Sequence, residues 1–149
     1  MKWDVRFLRL AKEVSTWSKD PGSQVGAVIA DSKHRLRATG YNGFPPGIKD
    51  DERLQNRSTK LAHTIHAEDN AIAFSFGADL RDCSIYIFGL PPCSNCSLKI
   101  IRSGIRRVVS LPEVSDSWRE DCALAEKLLS EANIETVKIE KFVFENWKE

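Results

Sequence analysis

The sequence predicts an α/β fold of three layers, in which a mixed sheet of about five strands carries helices on both faces. Strand-like apolar runs alternate with helical segments in the second half of the chain, so crossover connections and parallel last strands are expected. In the first half, the runs Val25–Ala30 and Leu36–Tyr41 are separated by a short turn and predict an antiparallel hairpin.

The first half begins with an amphipathic helix, which ends before Asp20-Pro21-Gly22. Its predicted core stripe consists of apolar residues at helical spacing: Trp3, Phe7, Leu10, Val14 and Trp17. After the hairpin, three glycines and two prolines between positions 40 and 47 predict irregular backbone of the kind that often carries function. Residues 45–64 are polar and poorly periodic, which predicts a loop insertion with one short helix.

The second half contains the alternating elements. Helices are predicted over His66–Gly77 and Ser94–Ser103, and the glycines at 77 and 104 are plausible stops. Strands are predicted over Cys83–Phe88, Arg106–Leu111 and Glu135–Ile139. One further helix is marked by the apolar residues Trp118, Cys122, Ala125, Leu128 and Leu129, while the helix at 66 offers Ala67, Ala71, Ile72 and Phe74 to the core.

Length and charge limit the class of protein. The chain has 149 residues, which predicts one domain over residues 1–149. Its formal net charge is +1, so it has no general attraction to nucleic acid. No apolar run approaches the roughly 20 residues of a membrane helix, and the charged N-terminal segment is unlike a signal peptide. The cytoplasm is therefore the expected compartment, and neither membrane nor nucleic acid is an expected partner.

Two short motifs carry the chemistry. The first is His66-Ala67-Glu68, and the second is Pro91-Pro92-Cys93-Ser94-Asn95-Cys96. Together they match the H-x-E…P-C-x-x-C signature of zinc nucleobase deaminases. Two cysteines three residues apart at a helix start lie on one face, near unpaired backbone N–H groups that favour thiolate. His66, Cys93 and Cys96 would give zinc three protein ligands and one open position, as catalytic sites require.

Glu68 follows the predicted histidine ligand by two residues. In the first turn of a helix that points at the metal, both side chains can reach the same region. A carboxylate there can move a proton between an activated water molecule and the substrate. The expected reaction replaces an exocyclic amine on a ring carbon with a carbonyl and releases ammonia.

Other interpretations of these residues remain open. A C-x-x-C pair is also typical of thioredoxin-like redox sites, but that interpretation leaves His66 and Glu68 without a role. A structural zinc site would need a fourth ligand, for which His63 is available. Cys83 and Cys122 fall on an apolar strand and an apolar helix face and are expected in the core.

The two motifs resemble the cytidine deaminase superfamily, and the upstream half is similar to the deoxycytidylate (dCMP) deaminases within it. That similarity is carried by Ser18-Lys19-Asp20-Pro21-Gly22-Ser23-Gln24-Val25-Gly26-Ala27-Val28-Ile29 and by Gly40-Tyr41-Asn42-Gly43-Phe44-Pro45-Pro46-Gly47. The resemblance runs from about Trp3 to Ile139. It implies a cytidine-deaminase-like fold and hydrolysis of dCMP to dUMP, which supplies thymidylate synthesis.

The resemblance also implies residue roles. His66, Cys93 and Cys96 would hold one zinc ion, and Glu68 would be the proton shuttle. For substrate binding, it implies that Asn42 contacts the sugar, Val25 lines the base pocket, the Ala67 N–H meets the base carbonyl and the Pro91 carbonyl meets the amino group. Pro91 stands where relatives often have Ser, Thr or Phe. Phosphate-binding residues are not identifiable, although the loop Glu113–Trp118 is a candidate by position.

Regulation is a further implication of the resemblance. Members of this family are commonly homohexamers that dCTP activates and dTTP inhibits, with Mg²⁺ accompanying the nucleotide. Gly43 and Asn70 would belong to that second nucleotide site. The segment before the His66 motif has no cysteine, so we expect a single zinc.

Competing functions fall into three classes. The first is a nucleic-acid editing deaminase of tRNA or single-stranded DNA, which should show a basic surface; a patch at Arg102, Arg106 and Arg107 is the candidate. The second is a deaminase of free nucleosides or other small amines. The third is a non-catalytic, zinc-stabilised interaction module, which the intact Glu68 disfavours.

Overall fold

Five strands form one sheet in the computed structural model, which describes all residues from Met1 to Glu149. The strands are β1 (Gly26–Ala30), β2 (Leu36–Tyr41), β3 (Ser84–Phe88), β4 (Arg107–Ser110) and β5 (Glu135–Lys138). Their order across the sheet is β2-β1-β3-β4-β5. Strand β1 runs antiparallel to both neighbours, whereas β3, β4 and β5 are parallel to one another. The predicted mixed sheet with parallel last strands is confirmed.

Six helices surround this sheet. They are α1 (Lys2–Ser15), α2 (Arg57–His63), α3 (Ala67–Ala73), α4 (Ser94–Ser103), α5 (Arg119–Glu131) and α6 (Lys141–Asn146). Two short 3-10 turns lie at Glu52–Gln55 and Asp116–Trp118. None of these helices has the length and apolar character needed to cross a membrane.

The sheet has a separate apolar core on each face. Along β1, Ala27 and Ile29 belong to one core, whereas Val28 and Ala30 belong to the other, as the alternation of a strand requires. The first core includes residues of α3, α4 and α5: Ala67, Ala71, Ile100 and Leu129. The second includes residues of α1 and α6: Val5, Leu8, Val14 and Phe144. Helices on both faces are thereby confirmed.

The predicted stripe of the first helix is wrong at its two tryptophans. Helix α1 ends at Ser15, so Trp17 lies beyond it and is 52% exposed. Trp3 is 39% exposed and stacks on the His34 ring, with 4.4 Å between ring centroids. The predicted Phe7 and Val14 are buried, and the other buried apolar residues of α1 are Val5, Leu8 and Ala11.

Four other local features differ from what the sequence predicts. Helix α3 ends at Ala73 rather than Gly77, because the Ser75 and Phe76 N–H groups bond only three residues back, and Phe76 and Gly77 then adopt positive φ values of 50° and 78°. Phe74 follows the helix and is 45% exposed, so it does not join the core. The insertion holds both α2 and a 3-10 turn. Helix α6 was not predicted, since its six residues are too few to show a period.

Gly40 sets the distance between strand β2 and helix α3. A Cβ atom at this position would lie 2.4 Å from the Ala71 backbone nitrogen and 2.5 Å from the Ala67 carbonyl oxygen. Both atoms belong to the helix backbone, which cannot rotate out of the way as a side chain can. The missing side chain therefore lets α3 lie directly on the sheet and determines where its first turn stands.

We expect Gly40→Ala to destabilise the protein by at least about 1–3 kcal/mol, because the added methyl group forces the helix off the strand. Urea unfolding followed by circular dichroism measures this change. Gly43→Ala is the matched control, since nothing lies within 4 Å of its Cβ position. Equal unfolding midpoints for the two variants would contradict this account of the packing.

Candidate active site

The candidate active site lies where two helices begin. His66 is the N-cap residue of α3, and Cys93 is the N-cap residue of α4. Both have extended backbone, with φ and ψ of −72° and 155° at His66 and −76° and 170° at Cys93. The His66 side chain makes no capping hydrogen bond, so its imidazole is free to meet the two cysteines.

The three predicted metal ligands come together at this point. His66 Nδ1 lies 3.4 Å from Cys93 Sγ and 3.4 Å from Cys96 Sγ. All three donor atoms lie within 4.8 Å of one another. The Cys96 backbone N–H also donates to Cys93 Sγ at 3.4 Å, which holds the two cysteines on the same turn. The histidine comes from one helix and the sulfurs from another, so the cluster joins α3 to α4.

This donor set fits zinc. One imidazole nitrogen and two thiol sulfurs are the soft and borderline ligands that zinc prefers, and three protein donors leave one tetrahedral position open. The remaining histidines and cysteines are not part of the cluster. His63, the candidate fourth ligand, instead engages the Thr59 carbonyl oxygen through Nδ1 at 2.7 Å. The cluster therefore has the composition of a catalytic site rather than a closed structural one.

The two thiols differ in acidity. A hydrogen bond from the Cys96 thiol lowers the pKa of Cys93 well below its usual range, and the nearby His66 acts in the same direction. The Cys93 sulfur and burial raise the pKa of Cys96, with the charge of Glu68 adding to the effect. These contacts favour the thiolate form of Cys93 next to the imidazole, which is the form of cysteine that binds metal.

Glu68 is the second residue of α3 and lines the same cavity as His66 and Cys93. Its side chain is nearly buried, with 4% of the residue exposed. Burial raises the pKa of this carboxyl group, although the neighbouring His66 opposes the change. A buried carboxyl group beside a metal-type donor cluster can accept and return a proton, which is the predicted role of Glu68.

The cavity beside the cluster has a volume of about 400 Å³, within the range of small-molecule sites. All four residues that the sequence predicted for substrate binding line it: Val25, Asn42, Ala67 and Pro91. They lie directly before β1, directly after β2, at the start of α3 and in the segment before α4. The sheet and both helices that carry the donor cluster thus contribute to one concave surface.

Asn42 organises part of this cavity wall. Its Oδ1 accepts a hydrogen bond from the Val25 N–H at 2.9 Å, and its Nδ2 donates to the Ser23 carbonyl oxygen at 2.7 Å. The residue is buried, and one of its two amide hydrogens is not used by these bonds. Asn42 therefore fastens the entry to β1 while keeping a donor available.

Trp118 is a cavity residue that the sequence placed on a core helix face. It lies in the 3-10 turn before α5 and meets the His66 ring edge to face, with 5.8 Å between centroids. Its position in the sequence indicates a place at the cavity, because Trp118 follows the carboxyl end of the parallel strand β4, where ligands gather in open α/β sheets. Cys122 also lines the cavity, and its thiol points to the Pro91 carbonyl oxygen at 3.8 Å.

Gly43 and Asn70, predicted for a second nucleotide site, do not line this cavity. Gly43 forms a two-way backbone bridge with Ile65, and its N–H donates to the Ile65 carbonyl at 3.1 Å. Asn70 Nδ2 donates to the Tyr41 carbonyl oxygen at 2.8 Å. The two residues thus support the loop after β2 on the outside of the cavity.

Polar contacts hold the two helices that carry the donor cluster in place. Asp121 of α5 accepts hydrogen bonds from the Ser94 N–H at 2.7 Å and the Ser94 hydroxyl at 2.6 Å, directly after Cys93. Lys99 of α4 pairs with Asp69 of α3, next to Glu68. These contacts brace the first turns of α3 and α4 against their neighbours.

Comparison with known proteins identifies the family to which this chain and its candidate site belong. Residues 1–111 match the family described as the cytidine and deoxycytidylate deaminase zinc-binding region, which includes both sequence motifs. The chain belongs to this family. The protein is a deaminase, and the resemblance noted from its motifs is confirmed.

The relatives of this deaminase span most of its length. It is 41% identical over 138 residues to an uncharacterized deaminase in the luxG 3' region of Aliivibrio fischeri, covering 90% of this chain and 91% of that protein. It is 37% identical over 150 residues to the deoxycytidylate deaminase of Homo sapiens, covering 96% of this chain and 81% of the human one.

A solved structure supports the fold of the deaminase. The crystal structure of dCMP deaminase from the cyanophage S-TIM5 in complex with dCMP and dUMP superposes with a TM-score of 0.74 at 20% sequence identity. The match covers 90% of this chain and 94% of the phage chain. The two proteins share their fold, and the predicted cytidine-deaminase-like architecture is confirmed.

We expect Cys96→Ser to reduce bound zinc from about one ion per chain to a small fraction, because zinc loses one of only three protein ligands. Cys122→Ser is the matched control, since its thiol lies in the same cavity but outside the donor cluster. Elemental analysis of the purified proteins measures the occupancy. Full zinc occupancy in Cys96→Ser, or its loss in Cys122→Ser, would show that the ligands are assigned wrongly.

Proposed function

We propose that this deaminase catalyses the hydrolytic conversion of dCMP and water to dUMP and ammonia. The observation that carries the proposal is the buried Glu68 beside the His66, Cys93 and Cys96 donors in a cavity of nucleotide size. The name of the human relative, deoxycytidylate deaminase, supports dCMP as the substrate. The phage neighbour that shares the fold was crystallised with dCMP and dUMP, which agrees with this choice.

Zinc, when held by His66, Cys93 and Cys96, would supply the Lewis acidity that makes a water molecule nucleophilic near neutral pH. Glu68 then does the proton work at its carboxylate oxygens. It takes a proton from the attacking water and gives it to the ring nitrogen next to the carbon under attack. It next takes the hydroxyl proton and gives it to the amino group, which leaves as ammonia while the carbonyl forms.

The cavity residues orient the base and sugar in this proposal. Val25 packs against the base, and the Ala67 N–H at the start of α3 donates to the base carbonyl. The Pro91 carbonyl accepts a hydrogen bond from the amino group, and the free Asn42 amide hydrogen meets the sugar hydroxyl. The support for these roles is that all four residues line the cavity that holds Glu68.

Local charge pairing speaks against the editing alternative. Arg107, one of the three arginines of the candidate basic patch, is paired with Asp4 through two hydrogen bonds of 2.6 and 2.8 Å and also with Glu135. Arg106 lies 3.7 Å from Asp82. Two of the three arginines are thus paired, and such groups on a chain of net charge +1 offer little attraction to a polyanion.

Several finer statements rest on the family resemblance and are part of this proposal. Residues 1–149 act as one deaminase domain with an insertion at 45–64, and its dUMP feeds thymidylate synthesis. The enzyme assembles as a homohexamer that dCTP activates and dTTP inhibits, with Mg²⁺ accompanying the nucleotide. Gly43 and Asn70 would take part in that regulation, and their place on the loop after β2, outside the cavity, is compatible with it.

The substrate assignment is tested by measuring ammonia release from dCMP, CMP, deoxycytidine, dCTP and a single-stranded oligonucleotide. We expect turnover of dCMP, with a kcat/KM at least about tenfold above every other substrate. Release from the oligonucleotide or from deoxycytidine alone would refute the proposal. Sigmoidal dCMP kinetics that dCTP makes hyperbolic would support the regulatory part, and indifference to dCTP and dTTP would remove it.

We expect Glu68→Gln to keep its zinc but to lose at least about a thousandfold in kcat, because the amide cannot shuttle protons. Steady-state assays with dCMP measure kcat, and elemental analysis of the same preparation measures the bound zinc. Glu131→Gln is the control, since it makes the same change on the exposed side of α5. Near-normal turnover by Glu68→Gln would rule out the proton-shuttle role.

A further inference from the structure

The insertion contributes a cationic wall to the active-site cavity. Helix α2 lies within this insertion, and its residues Arg57, Lys60, Leu61 and Thr64 line the cavity together with His66, Glu68 and Cys93. Facing residues come from the turn Asp20-Pro21-Gly22-Ser23, which also lines the cavity. The deamination steps described above use neither the positive charge of Arg57 nor that of Lys60.

Lys60 is held in this wall by a nearly buried ion pair. Its Nζ donates to Asp20 Oδ1 at 2.9 Å, and the side chains are only 13% and 7% exposed. The same Asp20 oxygen accepts from the backbone N–H groups of Gly22 at 2.8 Å and Ser23 at 2.9 Å. Gly22 leaves room for the ammonium group, because a Cβ there would lie 3.2 Å from Lys60 Nζ. The pair fastens α2 to the turn before β1.

The charge of Lys60 is balanced within the wall. Burial alone would raise the pKa of Asp20, but hydrogen bonds from Lys60, Ser23 and Gly22 outweigh it and hold the pKa below its usual value. Asp20 is therefore an anion that neutralises the lysine near neutral pH. Two of the three ammonium hydrogens of Lys60 remain for other acceptors.

Arg57 carries the unbalanced charge. It lies one turn before Lys60 on α2, is exposed and takes part in none of the ion pairs of the chain, unlike Arg53, which pairs with Asp51 at 2.8 Å. A guanidinium group that borders a cavity without an acidic partner attracts an anion and can bind a phosphate through two parallel hydrogen bonds.

The loop that the sequence offered for phosphate binding is less well suited. Of the residues in Glu113–Trp118, only Trp118 lines the cavity. The nearby Arg119 is paired with Asp116 at 2.6 Å, and the Ser115 and Ser117 hydroxyls contact each other at 3.3 Å. The polar groups of this loop are thus engaged with one another outside the cavity.

We propose that Arg57 is the phosphate-recognition residue of this deaminase, with Lys60 as a second donor that Asp20 keeps in place. The inference rests on the proposed function, because it assigns the phosphate contact of the same nucleotide site. Arg57 distinguishes a nucleoside monophosphate from the free nucleoside, since only the former brings an anion to the guanidinium group. The insertion at 45–64 thereby determines which form of the nucleoside is accepted.

The first test compares Arg57→Ala with the wild-type holoenzyme in steady-state kinetics. We expect kcat/KM for dCMP to fall about 10- to 100-fold, the loss typical of a hydrogen bond to a charged group, mainly through a higher KM. The kcat/KM for deoxycytidine should change less than about threefold. Arg57→Lys should recover part of the loss, because it restores the charge without the paired geometry. An equal loss for both substrates would overturn the proposal.

The second test is independent of turnover. Equilibrium binding of dUMP and of deoxyuridine to the zinc-loaded protein should show a preference for dUMP that Arg57→Ala abolishes. Arg102→Ala removes an exposed arginine on α4 outside the cavity, and this variant should retain the preference for dUMP. Wild-type protein that binds both equally, or Arg57→Ala protein that still prefers dUMP, would overturn the inference. A preference that depends on Arg57 in a protein that does not turn over dCMP would instead refute the proposed reaction alone.

Discussion

The meeting of the His66 imidazole with the Cys93 and Cys96 sulfurs is the contact on which the site depends. The three donors stand on the N-terminal turns of α3 and α4, and their 3.4 Å contacts require these two turns to face each other. Gly40 allows this arrangement, because the missing side chain lets α3 lie directly on β2. Asp121 and Lys99 brace the same turns from the side, so the position of the cluster follows from the packing of the fold.

Different structural elements form the cavity walls, and the roles proposed for the cavity residues differ accordingly. In the proposed function the chemistry comes from the sheet and the two helix starts, which carry the donor cluster and the buried Glu68. In the proposed function the irregular segments supply recognition, since the turn at Asp20–Ser23 and the insertion carrying α2 line the cavity and bring cationic side chains to it. A scaffold with one conserved chemistry and variable loops is a common way for a fold to change its substrate.

Local patterns explain why the donor cluster and the sheet could be predicted from the sequence. His66, Glu68, Cys93 and Cys96 lie in two short motifs whose spacing already specifies a helix start, and β2 was predicted with its observed bounds because its flanking turns are clear. Arg57 and Lys60 were missed as cavity residues. They come from a segment whose sequence shows no clear period, and only tertiary contacts such as the Lys60–Asp20 pair bring them to the site. The exposure of Trp3 and Trp17 likewise depends on where α1 ends, which a hydrophobic stripe does not define.

X-ray absorption spectroscopy at the zinc edge tests the central claim most directly, because it measures the ligand shell that these helices are inferred to build. The account predicts two sulfur scatterers at about 2.3 Å and one imidazole nitrogen at about 2.0–2.1 Å, with one further light-atom ligand at a similar distance from solvent or substrate. A shell with three or four sulfurs, or one with two imidazoles, would contradict the account, because it would replace the open catalytic position with a closed structural site.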